Sequence, residues 1–403
     1  MSGENRVVEQ RKSSSTKMTK EISDILNAFK EAERQGRRTA LATVVHVEGS
    51  SYRRPGARML MEDNGKMTGA ISGGCLEGDA LRKALQAINQ RQNKLVTYNT
   101  LDDDDVELGV QLGCNGIVHI LFEPIEPEKA DNPVAILEKC FVQRKDAVLV
   151  TLFSLENFYG HQPGTCLFFN EEYTHGNIEN KILETEIKED ARAVLASKSS
   201  LLKQYHDHEL TAFLELLEPP VSLIIVGAGN DALPLVEMAM ILGWQTTVID
   251  GRSTHANRQR FSKIQQVIVG KPEEAIKQVV IDERTFFLLM THNFNYDLEM
   301  MRLLLQKKCR YVGTLGPKKR LQRMLVGLQE QGVSITNEQR EMIYGPIGLD
   351  IGAETAEEIA LSVLAEIKAV LGDRQGTFLR DRSDHIHSRA EPVIPETKIT
   401  SDN

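Results

Sequence analysis

Apolar residues first recur at helical spacing at Ile22, Ile25, Leu26 and Phe29, which predicts a helix that stops near Gly36. Beyond it the pattern changes to that of strands. Ala40 to Val47 is one apolar run and Ala57 to Met61 another, joined by the loop Glu48-Gly-Ser-Ser-Tyr-Arg-Arg-Pro-Gly56. Glu62-Asp-Asn-Gly65 predicts a hairpin turn through its Asn-Gly step. Lys66 to Ile71 reads as a further strand, and Glu77 to Gln90 as an amphipathic helix. A polar stretch with Asp102 to Asp105 then leads through Leu112-Gly-Cys-Asn-Gly116 to a buried strand, Ile117 to Phe122. The Asp run suits a solvated loop better than a metal site.

Part of this pattern returns past a Pro/Glu-rich linker at residues 123–133. Val150 to Phe169 aligns without gaps on Ala42 to Met61, with Thr43/Thr151, Glu48/Glu156, Pro55/Pro163 and Gly56/Gly164 coinciding. The match predicts a duplicated strand–loop–strand unit within one pseudo-symmetric domain. The positions of Arg53, Arg54 and Arg58 hold His161, Gln162 and Cys166 in the second copy, so any chemistry of those residues belongs to the first. Pro133 to Gln143 reads as a helix with Cys140 on its packing face.

Pro219-Pro220 marks the next boundary. Short apolar strands now alternate with helices, the signature of a parallel α/β sheet. Ser222 to Val226 runs into Gly227-Ala-Gly-Asn-Asp-Ala232, which opens a helix, and the next strand ends at Asp250. This is the dinucleotide fingerprint in its strand–helix context. Gly227 serves the turn, Gly229 gives close backbone approach to a pyrophosphate, and Ala232 stands at the third small position. Asp250 sits where it can take ribose hydroxyls, favouring NAD over NADP, although Arg252 blurs that preference. Met290-Thr-His-Asn293 and Val312-Gly-Thr-Leu-Gly-Pro317 follow later strands and are expected in the same crevice, with His292 either a general acid–base or a hydrogen-bonding loop residue. Gly345-Pro-Ile-Gly-Leu-Asp350 is a further turn-rich loop, and Thr355-Ala-Glu-Glu358 reads as a capping box for a helix ending near Gly372.

The fold class expected is therefore α/β: an N-terminal α+β domain with internal duplication, then a Rossmann-like doubly wound parallel sheet. The expected boundaries are a disordered tail at 1–18, the first domain at 19–218, the second at 219–373 and a flexible tail at 374–403. Fifty-seven acidic against 48 basic residues leave a net charge of −9 without a basic block, which argues against nucleic-acid binding. No apolar run approaches a membrane span, and Met1 to Lys17 lacks the apolar core of a signal peptide. Five cysteines without a Cys-x-x-Cys form neither a disulfide framework nor a zinc motif, consistent with a reducing cytoplasm.

The stretch richest in chemistry is Gly69-Ala-Ile-Ser-Gly-Gly-Cys-Leu-Glu-Gly-Asp79. Ser72, Gly73 and Gly74 can turn backbone amides outward, and the helix behind them adds its positive end, a seat for a phosphate-like anion. Cys75 sits at that helix end, where the dipole favours thiolate. Glu77 and Asp79 oppose it unless basic residues face them. The alternative is a Gly-rich corner with an inert, buried cysteine.

Glu48-Gly-Ser-Ser-Tyr-Arg-Arg-Pro-Gly-Ala-Arg58, Ser72-Gly-Gly-Cys-Leu-Glu77 and Gly113-Cys-Asn-Gly116 resemble the N-terminal domain of the xanthine dehydrogenase accessory factor (XdhC/CoxI-type) family. The second half resembles the family too, through Gly227 to Ala232, Val248 to Arg252, Met290 to Asn293, Gly313 to Gly316 and Gly345 to Glu354. The resemblance covers about residues 20–372. It implies a maturation factor for molybdenum hydroxylases. Such a factor binds molybdenum cofactor (molybdopterin), assists its sulfuration with a cysteine desulfurase, hands it to an apo-molybdenum hydroxylase of the xanthine dehydrogenase type, and forms a homodimer. It further implies that Cys75 takes part in cofactor binding, as a ligand of the metal or a relay for sulfur, and that Cys114 matches the second family cysteine, with Asn115 where Gly is usual. A soft thiolate suits the metal centre, and Arg53, Arg54 and Arg58 can neutralise the pterin phosphate. Glu77 belongs to the same motif. The rival reading is an NAD(P)-dependent oxidoreductase with an N-terminal substrate domain; NAD(P) or FAD in the second half fits both.

Overall fold

The helical spacing at Ile22 to Phe29 folds as α1 (Thr16–Arg34), and the chain turns at Gly36 (φ +66°) into the strand β1 (Thr39–Gly49). The computed structural model describes residues 16–49, 51–99, 116–141, 144–158 and 160–382. Asp102 to Asp105 and Cys114 lie outside the described residues. The chain divides between Pro219 and Pro220 into two units, each with its own core.

In the first unit, β1 is followed by β2 (Arg58–Glu62), β3 (Met67–Gly69), α2 (Glu77–Gln90), β4 (Lys94–Asn99) and β5 (Gly116–Ile125). The strands form a sheet of order β3-β2-β1-β5-β4 in which every neighbouring pair is antiparallel. Alternation sends Ala40, Ala42 and Val44 to one face, where Ala80, Ala84 and Ala87 of α2 pack on them. Then come α3 (Pro133–Glu138), β6 (Ala147–Phe153), β7 (Gly164–Phe169), β8 (Thr174–Gly176), α4 (Lys181–Ser197), β9 (Leu201–Tyr205) and β10 (Leu210–Leu217). Their sheet has the order β8-β7-β6-β10-β9, the first pattern repeated strand for strand, with α4 in the place of α2.

The repetition extends to details that a 20-residue alignment cannot carry. Gly56 and Gly164 have φ of +91° and +89°. A Cβ on Gly69 would lie 2.3 Å from the Arg58 carbonyl, and one on Gly176 2.1 Å from the carbonyl of Cys166, the position aligned with Arg58. Arg91 and Lys198 end α2 and α4 in the same left-handed conformation. The two sheets bury their other faces together: Leu41 and Leu60 meet Leu149, Phe168 and Leu217, while Val45 and Leu121 meet Phe153 and Phe213. The unit is thus layered helix, sheet, sheet, helix. The helix expected over Pro133 to Gln143 is shorter than its pattern: α3 ends at Glu138 and passes into a 3-10 turn, Lys139–Phe141.

The second unit runs β11 (Ser222–Val226), α5 (Ala232–Ile241), β12 (Gln245–Asp250), β13 (Gln266–Val269), α6 (Pro272–Ala275), β14 (Thr285–Leu289), α7 (Phe294–Leu304), β15 (Tyr311–Thr314), α8 (Lys318–Glu330), α9 (Asn337–Glu341), β16 (Ile343–Tyr344) and α10 (Ala356–Leu371). All strand pairs are parallel, in the order β13-β12-β11-β14-β15-β16. Numbered from β11, this is 3-2-1-4-5-6, the dinucleotide-fold order, with its switch point between β11 and β14. Leu223 and Ile225 face α5 and α10 on one side, and Ile224 and Val226 face α7 and α8 on the other. Thr355 and Glu358 form the expected capping box at the start of α10. No described helix is long and apolar enough to cross a membrane.

Candidate functional site

In the first sheet the C-terminal ends of β1, β3 and β4 and the N-terminal ends of β2 and β5 lie at one end, because neighbours are antiparallel. The loop after β1 and the turn before α2 therefore meet there. The turn is built differently from the expected seat of free amides. Ser72 Oγ accepts from Gly74 N–H (3.0 Å) and Leu76 N–H (3.2 Å), while Ser72 donates its hydroxyl (2.5 Å) and its amide (3.3 Å) to Glu77. Ser72, Gly74 and Leu76 thus turn their amides inward, and Glu77 braces the turn. What stays open is the start of α2, which has no side-chain cap; a Cβ at Gly74 or Gly78 would meet nothing within 4 Å. Cys75 is half-buried there, packed at the edge of the α2 core. Asp79 is turned away from it, paired with Arg82 and accepting from Tyr98 Oη at 2.9 Å.

The neighbouring loop supplies a side chain that sequence reasoning missed. The exposed Tyr52 lays its ring against Gly73, 3.5 Å from where a Cβ would stand. That distance is ordinary van der Waals contact, so the ring covers the glycine without being wedged against it. Tyr52 lies within the loop motif that follows β1, but only the fold brings its ring onto the glycine.

The three arginines separate. Arg58 is not at the surface: it and Glu215 keep 1% and 2% of their side-chain exposure, joined by hydrogen bonds of 2.5 and 3.3 Å. Arg58 Nη1 also donates to the Gly56 carbonyl at 2.8 Å. Its burial opposes the charge, but Glu215 outweighs that and raises the Arg58 pKa. Arg53 pairs with Glu21 of α1, whose other oxygen accepts the Arg58 amide at 2.8 Å. Both guanidinium groups are therefore held by carboxylates, Arg53 by Glu21 and Arg58 by Glu215. Arg54 is half-buried, and no described carboxylate pairs with it.

At the switch point of the second unit, Gly227 (φ +132°) lies so close to β14 that a Cβ would stand 2.4 Å from the Met290 carbonyl. Gly229 adjoins Asp231, and Ala232 is fully buried at the start of α5. Asp250 does not offer free oxygens to a ribose. Oδ2 accepts from Ala228 N–H at 2.8 Å and from Arg252 Nη2 at 2.8 Å; Oδ1 accepts from the Arg252 amide at 2.9 Å and Nε at 3.0 Å. Burial opposes its ionisation, but these bonds prevail and hold the carboxyl below its ordinary range. Asp250 braces the glycine loop from within. Arg260 crosses the same loop, donating to the Ala228 carbonyl at 2.6 Å and to Asn230 Oδ1 at 2.8 Å. His292 is exposed in the left-handed region (φ +58°), with Nε2 3.0 Å from Asp231 Oδ2. Thr291 and Asn293 hold it there, the first bonded to buried Asp297 and the second capping α7.

Comparison with known proteins places this architecture. A model described as the XdhC Rossmann domain matches residues 223–367, and one described as the XdhC and CoxI family matches residues 32–99. A Bacillus subtilis protein described as a probable xanthine dehydrogenase subunit is 31% identical over 327 residues, 81% of this chain and 91% of that one. The molybdenum cofactor insertion chaperone PaoD of Escherichia coli is 23% identical over 353 residues, 88% of this chain and 90% of its own. A crystal structure described as a xanthine dehydrogenase from Bacillus halodurans superposes with a TM-score of 0.70 at 29% identity, covering 87% of this chain and 97% of that one. Matched in both units, and by a relative over nearly that relative's whole length, the chain belongs to the XdhC and CoxI family.

Proposed function

We propose that this protein carries molybdenum cofactor and inserts it into an apo-molybdenum hydroxylase of the xanthine dehydrogenase type. The observation that carries the reading is the half-exposed Cys75 at the uncapped start of α2, beside open glycine backbone and the exposed Tyr52 ring. A thiolate is a soft ligand suited to the metal of the cargo. The open amide end of α2 suits its phosphate, and an aromatic face suits the flat pterin. Arg54 offers the remaining positive charge. The description of PaoD as an insertion chaperone supports the same reading.

Within this proposal the protein binds and orients the cargo and performs no redox turnover of its own. A cysteine desulfurase is the expected source of sulfur for cofactor held in this way, and a homodimer in the cytoplasm the expected working form. The parallel sheet with Gly227 at its switch point favours a second reading, an NAD(P)- or FAD-dependent oxidoreductase. We rank it lower because the Asp250 carboxylate is engaged by Ala228 and Arg252. Reconstitution tests the proposal: apo-hydroxylase supplied with cofactor should recover activity faster and further when this protein is present. Equal recovery without it, or robust nicotinamide reduction by the protein alone, overturns the reading.

A further inference from the structure

β1 ends in a His-x-Glu pair that the carrier reading does not use. β1 and β5 pair Val44 with Ile120 and His46 with His119, leaving Val45 as the extra residue of a bulge. Without the bulge, His46 would fall on the α2 side with Val44. With it, His46 and Glu48 stand on the opposite face, the one that carries His119 and Leu121. Thr97 of β4 is paired with His119 in turn. His46, His119 and Thr97 thus form a row across three strands, on the other side of the sheet from Cys75.

One ligand atom from each of His46, Glu48 and His119 lies within 4.8 Å of the other two. Glu48 Oε1 is 3.1 Å from His119 Nε2 and 3.8 Å from His46 Nε2. The imidazoles stack with centroids 5.3 Å apart and planes at 16°, and Phe158 stacks on His119 at 6.2 Å. Thr97 Oγ1 meets His119 Nδ1 at 2.9 Å, which leaves Nε2 as the nitrogen directed at Glu48. His119 is buried and Glu48 exposed, so the group is fixed on one side and open on the other.

The geometry points to a mononuclear site for a first-row divalent transition ion, held by His46, His119 and Glu48. Two imidazoles and a carboxylate are a donor set for zinc, iron, cobalt or nickel and leave positions open for an outside ligand. Metal–ligand bonds of about 2.0–2.2 Å at tetrahedral angles place ligand atoms roughly 3.3 Å apart. The observed separations of 3.1 and 3.8 Å bracket that value. Thr97 is a positioning residue, orienting His119 through its second nitrogen. The aligned second half holds Ser154 and Glu156 at the positions of His46 and Glu48, so the site belongs to the first half alone. The inference is independent of the cofactor reading, whose soft ligand lies on the other face.

Equilibrium dialysis of the chelator-stripped full chain against zinc, paralleled by cobalt absorption spectra, tests it. One ion per chain should bind to the wild type and equally to Cys75→Ala, with cobalt d–d bands and no thiolate charge-transfer band. His46→Gln, His119→Gln and Glu48→Gln should each abolish that binding, and Thr97→Val should weaken it about 10- to 100-fold. Glu48 is exposed, so Glu48→Gln should lose the ion at an unchanged melting temperature, and it decides the matter if a histidine variant fails to fold. Undiminished binding in Glu48→Gln, loss in Cys75→Ala, or no saturable binding by the wild type would each overturn the proposal.

Discussion

The buried pair of Arg58 and Glu215 permits a quantitative test of whether an arginine in a family motif acts on ligand or on fold. Truncating one partner strands the other charge in a core closed to water, which costs about 3–5 kcal/mol. For a folded unit of this size each kcal/mol moves the midpoint by about 2–4 °C, so Glu215→Leu or Arg58→Met should lower it by roughly 6–20 °C. Replacing both together removes both stranded charges, and well-packed apolar substitutes for such pairs are often neutral or better. The double variant loses the donor to the Gly56 carbonyl, so a deficit of about 1–3 kcal/mol should remain. The cycle therefore predicts a coupling energy of roughly 3 kcal/mol or more. Differential scanning calorimetry of the full chain and its three variants measures it, and cofactor retention by the double variant completes the test. Single variants that melt with the wild type would refute the energetic argument. A double variant that stays folded and loses cofactor would return Arg58 to the binding site.

Two other buried features make separate predictions. Burial pushes the carboxyl of Glu123 up to about 6 from 4.5, against the bonds it accepts from Thr165 N–H (2.6 Å) and Oγ1 (2.9 Å). A raised carboxyl pKa stabilises the fold below the unfolded value, and that contribution is lost as pH rises through the folded one. Wild type should therefore lose about 2 kcal/mol between pH 4.5 and pH 7.5 that Glu123→Gln does not, measured by urea unfolding; parallel pH slopes would contradict it. At the switch point, Gly227→Ala should destabilise by about 2 kcal/mol or more, because backbone blocks its Cβ and the positive φ strains it. Gly229→Ala, whose Cβ meets only the movable Asp231 carboxylate, should cost less in the same melting experiment.

Elements whose signals are local were legible in the sequence. Glu77 to Gln90 and Ser222 to Val226 fold with those bounds, because an amphipathic period and a buried strand are written in adjacent residues. The duplication was visible in one short alignment, and the paired strand orders extend it across the unit. The partners of polar side chains were not legible. Arg58 reads as a basic residue at the start of a strand, free to meet a phosphate, until the packing of two sheets brings Glu215, 157 positions away, against it. Asp250 stands at the ribose position, yet its carboxylate faces donors at Ala228 and Arg252. The histidines were missed for a related reason. Alternation alone places His46 with Val44, and the bulge at Val45, which turns it toward His119, has no local signature here.

The carrier reading rests on Cys75, and its most direct test is molybdenum and pterin stoichiometry of Cys75→Ala after cofactor loading, with the melting temperature measured beside it. The thiol sits at the edge of its core, so the fold should be nearly unchanged while cofactor binding weakens greatly and phosphate contacts at α2 leave a residue of binding. Cys140→Ala is the control. Its thiol, pushed up to about 12 by burial, packs against the core between the sheets, and its loss should lower stability more than cofactor retention. A Cys75→Ala protein that retains cofactor fully and still activates apo-hydroxylase would contradict the account, and one that loses cofactor only by unfolding would reduce Cys75 to a packing residue.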